Sequence, residues 1–116
     1  MKKIIIAFIF LLGTSFIYSQ SSVNNILKAT QYYKKGVSLI KNKNYAQAIS
    51  ILDSCIKQNP KLGVAYYQRG LAKLKTNATN KANQYTNVCE DFTTAAKLGC
   101  KVPAGIKKQA NCSGKK

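Results

Sequence analysis

Residues 32–60 read YYKKGVSLIKNKNYAQAISILDSCIKQNP, and the second half of that stretch decides the fold. From Tyr45 to Lys57 the apolar residues Tyr45, Ala48, Ile49, Leu52, Cys55 and Ile56 recur at spacings of three and four, which gives a helix one buried face. Pro60 disfavours helix at Asn59 and closes the element. In the first half, Gly36 lies inside another helical run, where glycine costs about 1 kcal/mol against alanine. A bulky side chain of the paired helix pressing on that position would offset the cost.

Working outward, the stretch recurs. Tyr32, Tyr33 and Gly36 return as Tyr66, Tyr67 and Gly70 at a constant offset of 34 residues. Tyr45, Ala48, Leu52 and Cys55 align with Tyr85, Val88, Phe92 and Ala95 at an offset of 40, so the second copy carries six extra residues. These fall in residues 76–84, rich in Asn and Thr, which read as a loop. Helices are therefore predicted at about 24–41, 45–57, 63–75, 84–98 and 103–112. Ser22 or Asn24 would cap the first, and Pro103 would sit in the first turn of the last. Two repeats leave an open face at each end, which the extension at 23–30 and the closing helix would cover.

These residues resemble the tetratricopeptide repeats. That pattern runs from an aromatic to a small residue four later and a hydrophobic three after that. Alanine, a bulky residue and alanine follow on the second helix, then proline. Tyr32, Gly36, Leu39, Tyr45, Ala48, Leu52, Cys55 and Pro60 fill it within residues 29–62. Tyr66, Gly70, Tyr85, Val88, Phe92 and Ala95 fill it within 63–102, with Lys73 in place of the usual hydrophobic and Cys100 in place of the proline. The resemblance implies an all-α fold of two helical hairpins plus a C-terminal capping helix, a short right-handed α-solenoid. It implies a non-catalytic module that binds a protein or peptide, without cofactor or small-molecule substrate.

In such repeats the first helix of each copy lines a concave groove. Here that face holds Thr30, Tyr33, Val37, Ile40 and Lys41, then Val64, Tyr67, Leu71, Leu74 and Lys75, with Lys107 at the rim. The pattern assigns Tyr32 and Tyr66 to packing between helices. Adjacent helical residues point about 100° apart, so Tyr33 and Tyr67 are expected to look into the groove. The carboxylate clamp of chaperone-binding repeats does not carry over, because Tyr33 and Val37 stand where it needs Lys and Asn.

Residues 1–19 are a different material. Lys2 and Lys3 precede a nearly unbroken apolar run from Ile4 to Tyr18, and the small Ser19 precedes Gln20. The run is shorter than the ~20 residues that span a bilayer and reads as a signal peptide, leaving a domain of residues 20–116 in a periplasmic or extracellular setting. An uncleaved membrane anchor is the alternative.

Composition removes most catalysis. The chain has no His, and Asp53, Glu90 and Asp91 are its only acidic residues, so it holds no Ser-His-Asp or Cys-His set and no zinc cluster. Four cysteines allow three pairings. If the last two helices are antiparallel and turn near Gly99 to Lys101, the register that sets Leu98 beside Pro103 also sets Cys89 beside Cys112, the favoured disulfide. Cys55 reads as a buried core thiol, and Cys100 reaches it only if the turn folds back on the first repeat.

After residue 19, 17 Lys and Arg face 3 Asp and Glu, a net charge near +14. Such a field draws anions in a salt-dependent way. An acidic partner protein or an anionic envelope surface fits an exported chain, and an electrostatic binder of a polyanion with the repeats as scaffold is the alternative function. Nucleic acid fits less well, since the lysines are scattered and Arg69 is the single guanidinium.

Overall fold

A computed structural model describes residues 2–80 and 87–112, with side chains over 20–78 and 87–112. Among these residues the chain forms α1 (Lys2–Lys41), α2 (Tyr45–Gln58), α3 (Gly63–Asn80), α4 (Val88–Lys97) and α5 (Ala104–Gln109). The fold is all-α.

Consecutive helices from α1 to α4 run antiparallel, as their contacts show. Ala29 packs with Cys55 and Ala65 at one end of the stack, with Tyr32, Tyr33, Ile56 and Leu62 around them. Ala48, Ile49 and Ala72 form a second cluster with Leu39, Ile40 and Tyr45. Ala29, Ala48, Ala65, Ala72 and Ala95 are all at most 1% exposed, so the helices meet at small residues that let their backbones approach closely. Larger side chains fill the spaces between them; Leu52 and Phe92 are buried to the same degree.

Three turns share one construction. Lys43, Gly99 and Asn111 adopt φ of 61°, 85° and 54°. After each of them the chain closes a pair of bonds on the preceding helix, such as Asn44 N–H to Leu39 O at 2.9 Å with Lys43 N–H to Ile40 O at 3.0 Å. This is the Schellman arrangement, which satisfies the last carbonyls of a helix and favours glycine at the left-handed position. Only the turn after α4 has glycine there.

Several boundaries differ from the sequence reading. The first helix does not start near residue 24; α1 is unbroken from Lys2, so neither Ser22 nor Asn24 caps it. The reason is that residues 14–35 contain no proline or glycine to stop it. Residues 76–80, read as the start of a loop, continue α3. Thr76 is buried and its Oγ1 donates to Ala72 O at 2.9 Å, so its hydroxyl is satisfied inside the helix rather than competing with it. The rest of that loop, with the alignment of Tyr85, lies outside the described residues. The closing helix is only six residues long, and Pro103, with ψ of 138°, precedes it rather than occupying its first turn.

Candidate binding groove

The two glycines are where a partner helix presses. A Cβ on Gly36 would lie 2.8 Å from Leu52 Cγ and Cδ2, and one on Gly70 would lie 2.7 Å from Phe92 Cε1. Both hairpins therefore use one device: a glycine on the first helix receives a large buried residue from the second.

That device also decides where the tyrosines go. Residues three apart on a helix share a face, so Tyr33 lies beside Gly36 and Tyr67 beside Gly70. Tyr67 meets the residue seated on Gly70: its ring centroid is 6.0 Å from that of Phe92, tilted by 49°. Tyr33, like Tyr32, packs on the cluster of Ala29, Cys55 and Ala65. Tyr66 donates its hydroxyl to Pro60 O at 2.9 Å, and the Arg69 guanidinium lies 5.5 Å from its ring centroid. All four tyrosines are half-buried, so the expected division into an inward pair and a groove pair does not hold. Small residues opposite leave room for Tyr32 and Tyr33 to reach one cluster together, while Tyr67 packs on Phe92.

The groove face is consequently a partly covered one. Tyr33, Val37 and Lys41 recur every four residues on α1, as Tyr67, Leu71 and Lys75 do on α3. Val37, Ile40, Leu71 and Leu74 are half-buried, whereas Thr30, Lys41, Val64, Lys75 and Lys107 are exposed. The Thr30 hydroxyl donates to Ile26 O at 3.0 Å. Beyond Leu74, an open cleft of about 290 Å³ lies between the end of α3, Val88 and the C-terminal residues Gln109 to Asn111.

Sequence reasoning missed an ion cluster behind this face. Arg69 donates from Nη2 to Asp91 Oδ1 at 2.6 Å, from Nε to Asp91 Oδ2 at 3.1 Å and from Nη1 to Asp53 Oδ1 at 2.8 Å. Lys73 Nζ lies 2.9 Å from Asp91 Oδ2. Asp91 is 2% exposed, which explains why a lysine replaces the family's hydrophobic at position 73: it helps compensate a buried carboxylate. Burial works against the Arg69 charge, but the bonds and charges of Asp91 and Asp53 outweigh it and hold the guanidinium above its usual range. The signal was the coincidence of Lys73 with a carboxylate one residue before Phe92.

The C-terminal segment is tied back by a disulfide between Cys89 and Cys112, with Cα atoms 5.3 Å apart. α5 itself buries none of its residues. Cys55 and Cys100 are free thiols. Cys55 Sγ donates to Ala29 O at 3.1 Å. Its burial pushes the thiol pKa up, against a smaller opposing pull from a backbone hydrogen bond at Tyr33.

Residues 32–62, from the groove face of α1 through α2 to the turn before α3, match the family described as Tetratricopeptide repeat. This segment is a tetratricopeptide repeat. The repeat's glycine and bulky residue are Gly36 and Leu52, and α3 and α4 reproduce their contact with Gly70 and Phe92. Tetratricopeptide repeats are in general scaffolds for protein–protein interaction rather than catalysts. No curated protein and no solved structure matches the chain.

Proposed function

We propose that this chain is an exported, non-catalytic module that holds a peptide or protein segment, acidic in character, across the α1 and α3 faces. The observation that carries the reading is the row of half-buried apolar side chains, Val37 and Ile40 on α1 with Leu71 on α3, edged by exposed Val64 and Lys41. Apolar surface partly covered by its own chain gains by further burial, and lysine at its edge selects an anionic partner. Adsorption of a polyanion by charge alone is the weaker alternative. The one guanidinium able to grip a phosphate bidentately is already committed to two carboxylates.

The proposal includes cleavage after Ser19, and the intact mass of the native protein reads it directly: a mass that retains residues 1–19 means an anchored protein. Among the described residues no helix is long and apolar enough to cross a membrane. For binding, a pull-down from envelope extract at two salt concentrations tests the reading. A groove complex persists at moderate ionic strength, whereas a complex made by scattered lysines dissociates.

A further inference from the structure

The groove face does not end where the repeat begins. Val23, Ile26 and Leu27 are 52%, 53% and 56% exposed, and of the exposed large apolar residues they are the ones that stand together on one helix. At 100° per residue they fall within the same arc of about 100° as Thr30, Lys34, Val37 and Lys41, so α1 carries one stripe from residue 23 to residue 41, apolar at 23–27 and mixed with lysine beyond. That stripe is about 27 Å long at 1.5 Å per residue. Lys34 and Lys41 stand within the stripe, and Lys28 and Lys35 lie beyond one edge of it, all exposed.

Charge identifies the occupant. No acidic residue precedes Asp53 in the chain, so the stripe lies in an entirely cationic setting. Asp53 and Asp91 are bonded to Arg69, and Asp91 also to Lys73, which leaves Glu90 as the one carboxylate side chain outside that cluster. Neither a second copy nor another segment of this chain can therefore neutralise the stripe. A flat anionic bilayer would meet the exposed end at 23–27 but not Tyr33, Val37 and Ile40, which are half-buried against the hairpin. A slender helix can follow the whole length.

We propose that α1 residues 23–41 dock an amphipathic helix of another protein, its apolar residues on Val23, Ile26 and Leu27 and its acidic residues on Lys34 and Lys41 farther along the same stripe. This rests on the groove reading for residues 33–41 and adds the half that lies outside the repeat. The probe is a panel of 18-residue synthetic helices with Leu at helical spacing and Glu elsewhere, with Lys-for-Glu counterparts, titrated against the full chain by fluorescence anisotropy. Expected is binding of Glu–Leu helices alone, weakened ten-fold or more by Ile26→Glu and by Leu27→Glu, with circular-dichroism melts unchanged because both sites are exposed. Val64→Glu reports the groove on α3 separately. If Val64→Glu weakens binding while Ile26→Glu and Leu27→Glu do not, the extension is wrong and the groove stands. If the two α1 variants alone weaken it, the stripe stands and the α3 side of the groove falls. Absence of binding by every Glu–Leu helix overturns both. Phosphatidylglycerol vesicles that bind the protein, lose it on Leu27→Glu and find no parallel in the peptides would make the stripe a membrane contact. A dimer seen in sedimentation and lost on Leu27→Glu would make it a self-contact, and either result overturns the proposal.

Discussion

Arg69 grips Asp91 with two hydrogen bonds, Nη2 to Oδ1 at 2.6 Å and Nε to Oδ2 at 3.1 Å, at a carboxylate 2% exposed. Removing Asp91 leaves Lys73 without its carboxylate and Arg69 with Asp53 alone, the Lys73 and Arg69 side chains both being mostly buried. Asp91→Ala is therefore expected to cost about 3–5 kcal/mol in urea unfolding. Asp53 is mostly exposed, so Asp53→Ala should cost under about 1 kcal/mol. Lys73→Leu restores the family's hydrophobic and leaves Arg69 on Asp91, and should fall between the two. Equal losses for Asp53→Ala and Asp91→Ala would refute the ranking.

Gly36→Ala and Gly70→Ala test the close approach of Leu52 and Phe92. Alanine gains about 1 kcal/mol of helix propensity, but its Cβ would meet those side chains at under 3.0 Å. Overpacking of this kind typically costs about 1–3 kcal/mol, so both variants should melt at lower temperature. Truncating Leu52 to Val should lessen the penalty of Gly36→Ala, and a cycle without such coupling would show that the glycine serves another purpose.

For the tyrosines, Tyr67→Ala is expected to destabilise the protein because its ring packs on Phe92. A double-mutant cycle with Phe92→Leu should return a coupling of about 0.5–1.5 kcal/mol. Tyr66→Phe removes only a hydrogen bond at an exposed site, worth about 1 kcal/mol or less. Loss of partner binding in Tyr67→Ala is interpretable only beside its melting curve.

Lys43 holds a left-handed conformation, φ 61°, at the α1–α2 turn. Lys43→Gly relieves roughly 1 kcal/mol of strain, less the backbone entropy of an added glycine, and should raise the denaturation midpoint. Lys43→Val should lower it.

The cysteines separate by reactivity. Iodoacetamide should modify half-exposed Cys100 in the native protein and Cys55 only on unfolding, because Cys55 is fully buried. Since the folded Cys55 pKa is raised, its share of stability is intact below the ordinary thiol range and is lost as pH rises above that range through the raised folded value. Reducing the Cys89–Cys112 bond should speed amide exchange over 104–112 first, since a six-residue helix with no buried residue does not persist alone.

What the residues disclosed follows from what repeats. Periodicity from Tyr45 to Ile56 and the recurrence of Gly36 as Gly70 located both hairpins, because burial and close approach leave their mark at fixed spacings. Helix ends were less legible: Thr76 continues α3 through a bond to its own helix, a choice that composition does not reveal. The tyrosines were misdivided because a 100° rule treats side chains as vectors, whereas long rings on neighbouring positions can both lean onto small residues such as Ala29 and Ala65. The ion cluster was hidden because its members come from α2, α3 and α4, and only packing brings them together.

From α1 to α4 each helix packs chiefly on its neighbours in that series, while α1 and α3 touch only slightly. Contacts of such short sequence separation are made with little loop-closure entropy, so the domain should fold on the microsecond-to-millisecond scale of helical bundles. Arrays built this way behave as neighbouring units joined by their interfaces, and one hairpin can open while the other persists. Here the interface is a buried one, because Ala65 and Ala72 of the second hairpin complete the clusters of Ala29 with Cys55 and of Ala48 with Ile49 in the first, so the two should lose their structure together. A polar residue in place of Ala65 or Ala72 would cut that interface and broaden the melting of one cooperative unit into two overlapping transitions.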